Sequence, residues 1–110
     1  VLCTADRPPE LRGRGSMQTI WQPDIFGKYV RWMKDVSCPT DHIALSHLLA
    51  DVDCAVAHAE GAKGGGKGPV QLNLPFRENL APDGGPVRGT PGLASTWSHG
   101  CLDGFGHGDE

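Results

Sequence analysis

Residues 40–76 constrain the fold more than any other stretch of this sequence. Leu45, Leu49, Val52, Val56 and Ala59 recur at spacings of four and three, and Leu48 and Ala55 widen the apolar stripe. Thr40 or Asp41 stands where the cap of such a helix belongs. A helix with one apolar stripe has to bury it, and the segments on either side supply a sheet for it to lie on. Gly61 is expected to end the helix, a glycine run follows, and "PVQLNLP" reads as a compact strand bounded by prolines. Upstream, "VLCTA" reads as a strand that stops at "DRPPE", because the Pro8–Pro9 pair admits only a turn or the first turn of a helix. Gly13 and Gly15 keep any helix in "LRGRGSMQTI" brief, and "QPDIF" suggests a short turn ended at Gly27. "KYVRWMKDV" is rich in β-branched and aromatic residues and reads as a strand up to Pro39. The order strand, loop, strand, helix, strand predicts an α/β layer with parallel pairing.

Composition divides the chain at about residue 82. Of the sixteen glycines, eight fall in residues 83–110, where no apolar periodicity appears, so this tail is expected to be a glycine-rich linker or disordered. Residues 1–82 carry nine Lys/Arg against nine Asp/Glu, and a neutral body gives no electrostatic reason to expect a nucleic-acid partner. No run approaches the roughly 20 apolar residues that a membrane-crossing helix needs. Cys3, Cys38, Cys54 and Cys101 include no C-x-x-C pair, so reduced intracellular thiols are expected rather than a zinc ribbon or a thioredoxin-like site. The chain opens directly on a strand, which suggests a piece of a longer protein cut inside a sheet.

Four groups of residues invite a chemical reading. "GAKGGGKG" has the spacing of a phosphate-binding loop, but such a loop needs a strand before it and a helix after it, with Ser or Thr after the lysine. Here the order is reversed and Gly68 follows Lys67, so the run is expected to be a solvated connection. His47, Asp51, Cys54 and His58 share a helix face opposite the apolar stripe, yet at 1.5 Å per residue they spread over about 16 Å, too far for one ion. A polar face, exposed or docked on another domain, is expected, and no metal ligand is assigned. His99, Cys101, Asp103, His107 and Asp109 lie among tail glycines without a recognised ligand spacing. The fourth group is Arg7 with Gln18 in "TADRPPELRGRGSMQTI". An arginine at the C-terminal edge of a sheet sits where α/β folds bind ligands, and its planar fork suits a carboxylate. Gln18 on the same loop can add a neutral donor and acceptor. Equally, Arg7 can pair with Asp6 or Glu10 and simply fix the turn.

"TADRPPELRGRGSMQTI", followed some fifty residues later by "GPVQLNLPFRENLAP", resembles the MenD family, the thiamine diphosphate-dependent SEPHCHC synthases of menaquinone and phylloquinone biosynthesis. The likeness covers Val1 to about Pro82. It implies that residues 1–82 are the second half of a pyrimidine-binding domain, an α/β domain with a parallel sheet. It implies a reaction in which 2-oxoglutarate is decarboxylated on thiamine diphosphate, with Mg2+, and added to isochorismate. Arg7 takes the place of the arginine in the family's A-D-R-P-P-E motif and would bind substrate carboxylate or hydroxyl groups. Gln18 takes the place of the glutamine in its N-Q pair and would act beside the reacting centre. Met17 replaces the asparagine before it. Asn73, Phe76 and Arg77 match the closing motif and are read as strand end and interdomain contacts. The resemblance puts the glutamate that activates the cofactor upstream of Val1, and the magnesium motif in a later domain, so this stretch alone is expected to be inactive. It also implies a homo-oligomer, dimeric or tetrameric, located in the cytoplasm of a bacterium or the chloroplast of a plant or alga. A non-catalytic fragment, or a thiamine diphosphate enzyme acting on another 2-oxo acid, stays open as an alternative.

Overall fold

The computed structural model describes residues 1–78, 80 and 81. The tail, 83–110, with His99, Cys101, Asp103, His107 and Asp109, lies outside them. Three strands form one parallel sheet: β1, Leu2–Asp6; β2, Met33–Asp35; and β3, Gln71–Pro75, which lies between the other two. Leu2 pairs with Gln71 and Asp6 with Pro75 on one side, and Met33 with Gln71 and Asp35 with Asn73 on the other. The expected α/β layer with parallel pairing is therefore present.

β1 ends where the prolines end it. Pro8 is extended, and Pro9 opens a single 3-10 turn, Pro9–Leu11, closed by the amides of Leu11 and Arg12 on the carbonyls of Pro8 and Pro9. β2 is shorter than the run "KYVRWMKDV" suggests. Lys28 and Tyr29 belong to a 3-10 turn, Gly27–Tyr29, and only Met33–Asp35 pair as a strand. The partner sets the limit: β2 bonds only to β3, whose own ladder is confined between Pro69 and Pro75.

Helix α1, Leu45–Ala59, bridges β2 and β3. It begins later than Thr40 or Asp41 suggests, with Ala44 as its N-cap and no side-chain cap. Thr40 is spent on its own turn, its hydroxyl accepting the His42 amide and its carbonyl the Ile43 amide. The far end follows expectation. Gly61 has φ +82°, the Ala62 amide bonds the carbonyl of Ala57, and the Gly61 amide bonds that of His58. This is a Schellman closure.

The core is small: Val36, Ala55, Val70 and Leu72, with Trp32, Val52, Ala59 and Leu74 packed against it. Only the C-terminal half of the apolar stripe of α1 takes part. Leu45 and Leu48 remain more than a third exposed, and with Leu49, Val52, Cys3 and Leu74 they line an apolar groove of about 460 Å3. A three-stranded sheet is too narrow to cover the whole helix, which explains why Val56 also stays 37% exposed. The opposite face of the sheet is polar. Gln71 and Asn73, both fully buried, alternate with Leu72 and Leu74 along β3 and point under the loop 7–32.

Candidate functional site

At the C-terminal edge of the sheet, Ala5, Asp6, Arg7, Gln18, Gln22, Phe76 and Leu80 line a cleft of about 260 Å3. Strand β1 delivers Arg7 to its rim, because the chain leaves the sheet immediately after Asp6. The loop then returns Gln18 to the same place, and Arg7 Nη2 donates to Gln18 Oε1 at 2.8 Å. Gln18 sits at φ +57°, in the left-handed region that a non-glycine residue enters at a cost. Met17 beside it is 86% exposed.

Neither carboxylate proposed as a turn-fixing partner holds the Arg7 guanidinium. Asp6 Oδ1 accepts the backbone amide of Arg7 at 2.8 Å, and Asp6 Oδ2 accepts Arg12 Nη2 at 3.2 Å. Glu10 is gripped by Arg77 through Nε at 2.6 Å and Nη2 at 2.9 Å. That fork pulls the Glu10 carboxyl below its ordinary range and raises the Arg77 guanidinium. Among the described residues the Arg7 head keeps only Gln18 and, at 4.0 Å, the exposed carboxylate of Glu78. A charge facing a cleft with so little opposite charge is suited to an anion.

Beneath the cleft lies a buried polar network. Arg12 clasps Asp35 with Nη1 to Oδ2 at 2.7 Å and Nη2 to Oδ1 at 3.0 Å, and its head lies 5.5 Å from the Trp21 ring centre. The fork holds the Asp35 carboxyl below its ordinary range and raises Arg12, with desolvation opposing both shifts. Asn73 Nδ2 donates to Asp6 Oδ2 and to Asp35 Oδ1, each at 2.9 Å. Its Oδ1 accepts from the Thr4 hydroxyl and from Gln22 Nε2. Gln71 Nε2 donates to the Thr4 hydroxyl and the Gln22 carbonyl. The network thus ties β1, β2, β3 and the cleft-bearing loop to one another.

Sequence reasoning singled out Arg7 and Gln18, and the structure brings those two together. It missed Gln22, Arg12 and Asp35, and it gave Asp6 a place only as a turn partner of Arg7. Asn73, read as a strand-end contact, is the network's buried hub in the middle of β3; Phe76 lines the cleft; Arg77 faces Glu10. One signal was available: "QLNL" places two amides on one face of a strand too apolar and too central to be half exposed, and buried amides require partners.

Among the described residues the remaining candidates do not assemble a site. Asp51 pairs with Lys34 at 3.7 Å and the His58 ring stacks on Trp32 at 5.2 Å, so half of the polar face of α1 docks on the β2 segment. Among the described residues no group of three His, Cys, Asp or Glu is placed to hold a metal ion, and Cys3, Cys38 and Cys54 are free thiols. The glycine run leads out of α1 and into β3, the reverse of a phosphate-binding loop. No described helix is long and apolar enough to cross a membrane.

No family profile matches the chain. Individual proteins do. It is 53% identical over 83 residues to a 2-succinyl-5-enolpyruvyl-6-hydroxy-3-cyclohexene-1-carboxylate synthase of Chloroflexus aurantiacus, which is 76% of this chain and 14% of the relative. It is 46% identical over 93 residues to the synthase of that name from Rubrobacter xylanophilus, 84% of this chain and 16% of the relative. It is 43% identical over 105 residues to the chloroplastic protein PHYLLO of Arabidopsis thaliana, 96% of this chain and 5% of the relative. The chain thus spans 5% to 16% of the length of these relatives. On similarities that run through three-quarters or more of its residues, the chain belongs to the 2-succinyl-5-enolpyruvyl-6-hydroxy-3-cyclohexene-1-carboxylate synthase family.

Proposed function

We propose that this chain supplies the substrate-anion edge of an enzyme that decarboxylates 2-oxoglutarate and joins the remainder to isochorismate, in menaquinone or phylloquinone biosynthesis. The observation that carries the reading is the pairing of Arg7 Nη2 with Gln18 Oε1 over the cleft, while Asp6 and Glu10 are engaged by Arg12 and Arg77. Both substrates are dicarboxylates, and a guanidinium fork binds a carboxylate through two parallel hydrogen bonds. Arg7 binds one of these carboxylates. Gln18, whose Oε1 aligns the Arg7 head, keeps Nε2 free to donate to an oxygen beside the reacting carbon. The relatives' name describes a ring with a carboxylate on carbon 1 and a hydroxyl on the neighbouring carbon 6, so the ring substrate offers both an anion and a hydroxyl to such an edge.

Thiamine diphosphate and Mg2+ enter through the family. When bound, the cofactor supplies the electron sink for decarboxylation. The polar side chains of the cleft beside the engaged Asp6, one guanidinium and two amides, suit a substrate carboxylate rather than a metal, and no described group of three ligands suits Mg2+. We therefore assign the diphosphate and its ion to none of these residues. Residues 1–82 make up the second half of a pyrimidine-binding domain, and residues 83–110 are a glycine-rich linker or tail. The assembly is a homo-oligomer, in the bacterial cytoplasm or in the chloroplast according to its source.

The test uses the full-length protein carrying this sequence. Arg7→Ala should lower kcat/KM for product formation about ten- to a hundredfold, the worth of a charge-assisted hydrogen bond, with little change in Tm. A marked fall in Tm with kcat/KM per folded molecule unchanged would make Arg7 a turn-fixing residue and end the proposal.

A further inference from the structure

The amide of Gln22 has only one possible orientation. Its Nε2 lies 2.9 Å from the carbonyl oxygen of Ala5, a group that can only accept, so a donor nitrogen must stand there. Its second contact, at 3.0 Å, is Asn73 Oδ1. That atom is an oxygen because the other end of the Asn73 amide faces the carboxylates of Asp6 and Asp35, which accept and do not donate. Both Nε2 hydrogens of Gln22 are therefore committed to the protein, and Oε1 has no partner among the described residues.

This matters because Gln22 lines the cleft beside Arg7 and Gln18. Arg7 can only donate. The Oε1 of Gln18 is occupied by Arg7, which leaves that side chain its donor end. The Asp6 oxygens are taken by Arg7 N–H, Arg12 and Asn73, and the Ala5 carbonyl by Gln22 itself. Among the described polar side chains that line the cleft, Gln22 Oε1 is thus the acceptor without a partner. A matching ligand carries a carboxylate for Arg7 and, close to it, a hydroxyl with a proton to give.

We propose that Gln22 is a specificity-determining contact, whose Oε1 accepts a hydrogen bond from the ring hydroxyl next to the carboxylate bound by Arg7. The inference rests on the function proposed above and deepens it: the site selects a hydroxylated ring acid over one that lacks the hydroxyl. The anchoring of Nε2 at Ala5 and Asn73 gives the acceptor a fixed position before the substrate arrives. A substrate without the hydroxyl leaves that acceptor unpaired, and a site built around a hydrogen bond discriminates most strongly against the analogue that cannot make it.

The test compares isochorismate with its analogue carrying hydrogen in place of the ring hydroxyl, using the full-length protein and 2-oxoglutarate at saturation. The parent should prefer isochorismate roughly five- to a hundredfold in kcat/KM. Gln22→Met should bring that preference close to one, leaving KM for 2-oxoglutarate unchanged. Gln22→Glu, whose second oxygen would face the acceptors of Ala5 and Asn73, should lose the anchoring and with it most of the preference. Because the preference is a ratio measured on a single preparation, the fraction of folded enzyme cancels. Turnover with the preference unchanged in Gln22→Met would overturn the role of Gln22 and leave the proposed function standing. Equal use of the two ring acids by the parent would do the same, even if the variants do not fold. A full-length protein that makes product from neither would overturn the proposed function, and this inference with it.

Discussion

Asn73 Nδ2 stands 2.9 Å from Asp6 Oδ2, joining the middle of the central strand to the last residue of β1. The same nitrogen reaches Asp35 on β2, so one buried side chain holds two carboxylates that would otherwise repel each other across the sheet. Arg12 adds one positive charge shared between them. The cleft rests on this arrangement, because Asp6 also receives the backbone amide of Arg7 and Asn73 receives the amide of Gln22.

Asn73→Leu removes a donor from two carboxylates and an acceptor from Thr4 and Gln22 while nearly preserving volume. Groups left unpaired in a buried network each cost about 1–3 kcal/mol, so we expect a loss of at least about 3 kcal/mol in urea unfolding of the full-length protein followed by tryptophan fluorescence. A change below about 1 kcal/mol would mean that water replaces the amide at no cost.

The Arg12 fork makes stability depend on acid. Because it holds Asp35 below the ordinary carboxylate value of about 3.9, its contribution is fully present above that pH and is lost as pH falls through the lower folded value. Asp35→Asn should therefore be less stable than the parent at neutral pH but lose less on acidification below about pH 4. Parallel acid limbs for the two proteins would show that Asp35 does not titrate in this way.

How much of this was legible beforehand differs by element. The helix and the parallel strands were readable because a 3.6-residue periodicity and short apolar, β-branched or aromatic runs are local, and proline and glycine mark their ends. The apolar stripe of α1 was readable, but not that only Val52, Ala55 and Ala59 reach the core, since that depends on the width of the sheet beneath. The polar network was not readable because its bonds join residues far apart: 67 positions separate Asn73 from Asp6, and 38 separate it from Asp35. Residue types alone left Arg7 equally suited to a turn or a ligand. In the structure Arg12 and Arg77, elsewhere in the chain, occupy Asp6 and Glu10, which supports the proposed ligand role.

The glycine run separates backbone need from chemistry. A Cβ on Gly61 would lie 2.9 Å from the carbonyl carbon of Gly66, and its φ of +82° is strained for any other residue. Gly61→Ala should thus cost about 1–3 kcal/mol, whereas the exposed Lys67→Ala should change stability by no more than about 0.5 kcal/mol and leave turnover within about twofold. Nucleotide binding abolished by Lys67→Ala would refute the reading of this segment as a connection.

The left-handed backbone of Gln18 gives the last prediction, because it separates what the residue does from what it costs. At an ordinary position alanine is more stable than glycine, since glycine has more freedom to lose on folding. At φ +57° the order should reverse, because a Cβ in that region costs roughly 1–2 kcal/mol and glycine escapes it. Gln18→Gly should therefore unfold at a higher temperature than Gln18→Ala. Both variants lack the amide that meets Arg7 Nη2 at 2.8 Å, so both should lose turnover to a similar extent, and more in kcat than in substrate binding. Strain that serves no function would give the glycine variant its stability without the loss of turnover. If Gln18→Gly instead melts below Gln18→Ala, the loop holds this residue in another conformation in solution, and the Arg7–Gln18 pairing would not be a preformed part of the site.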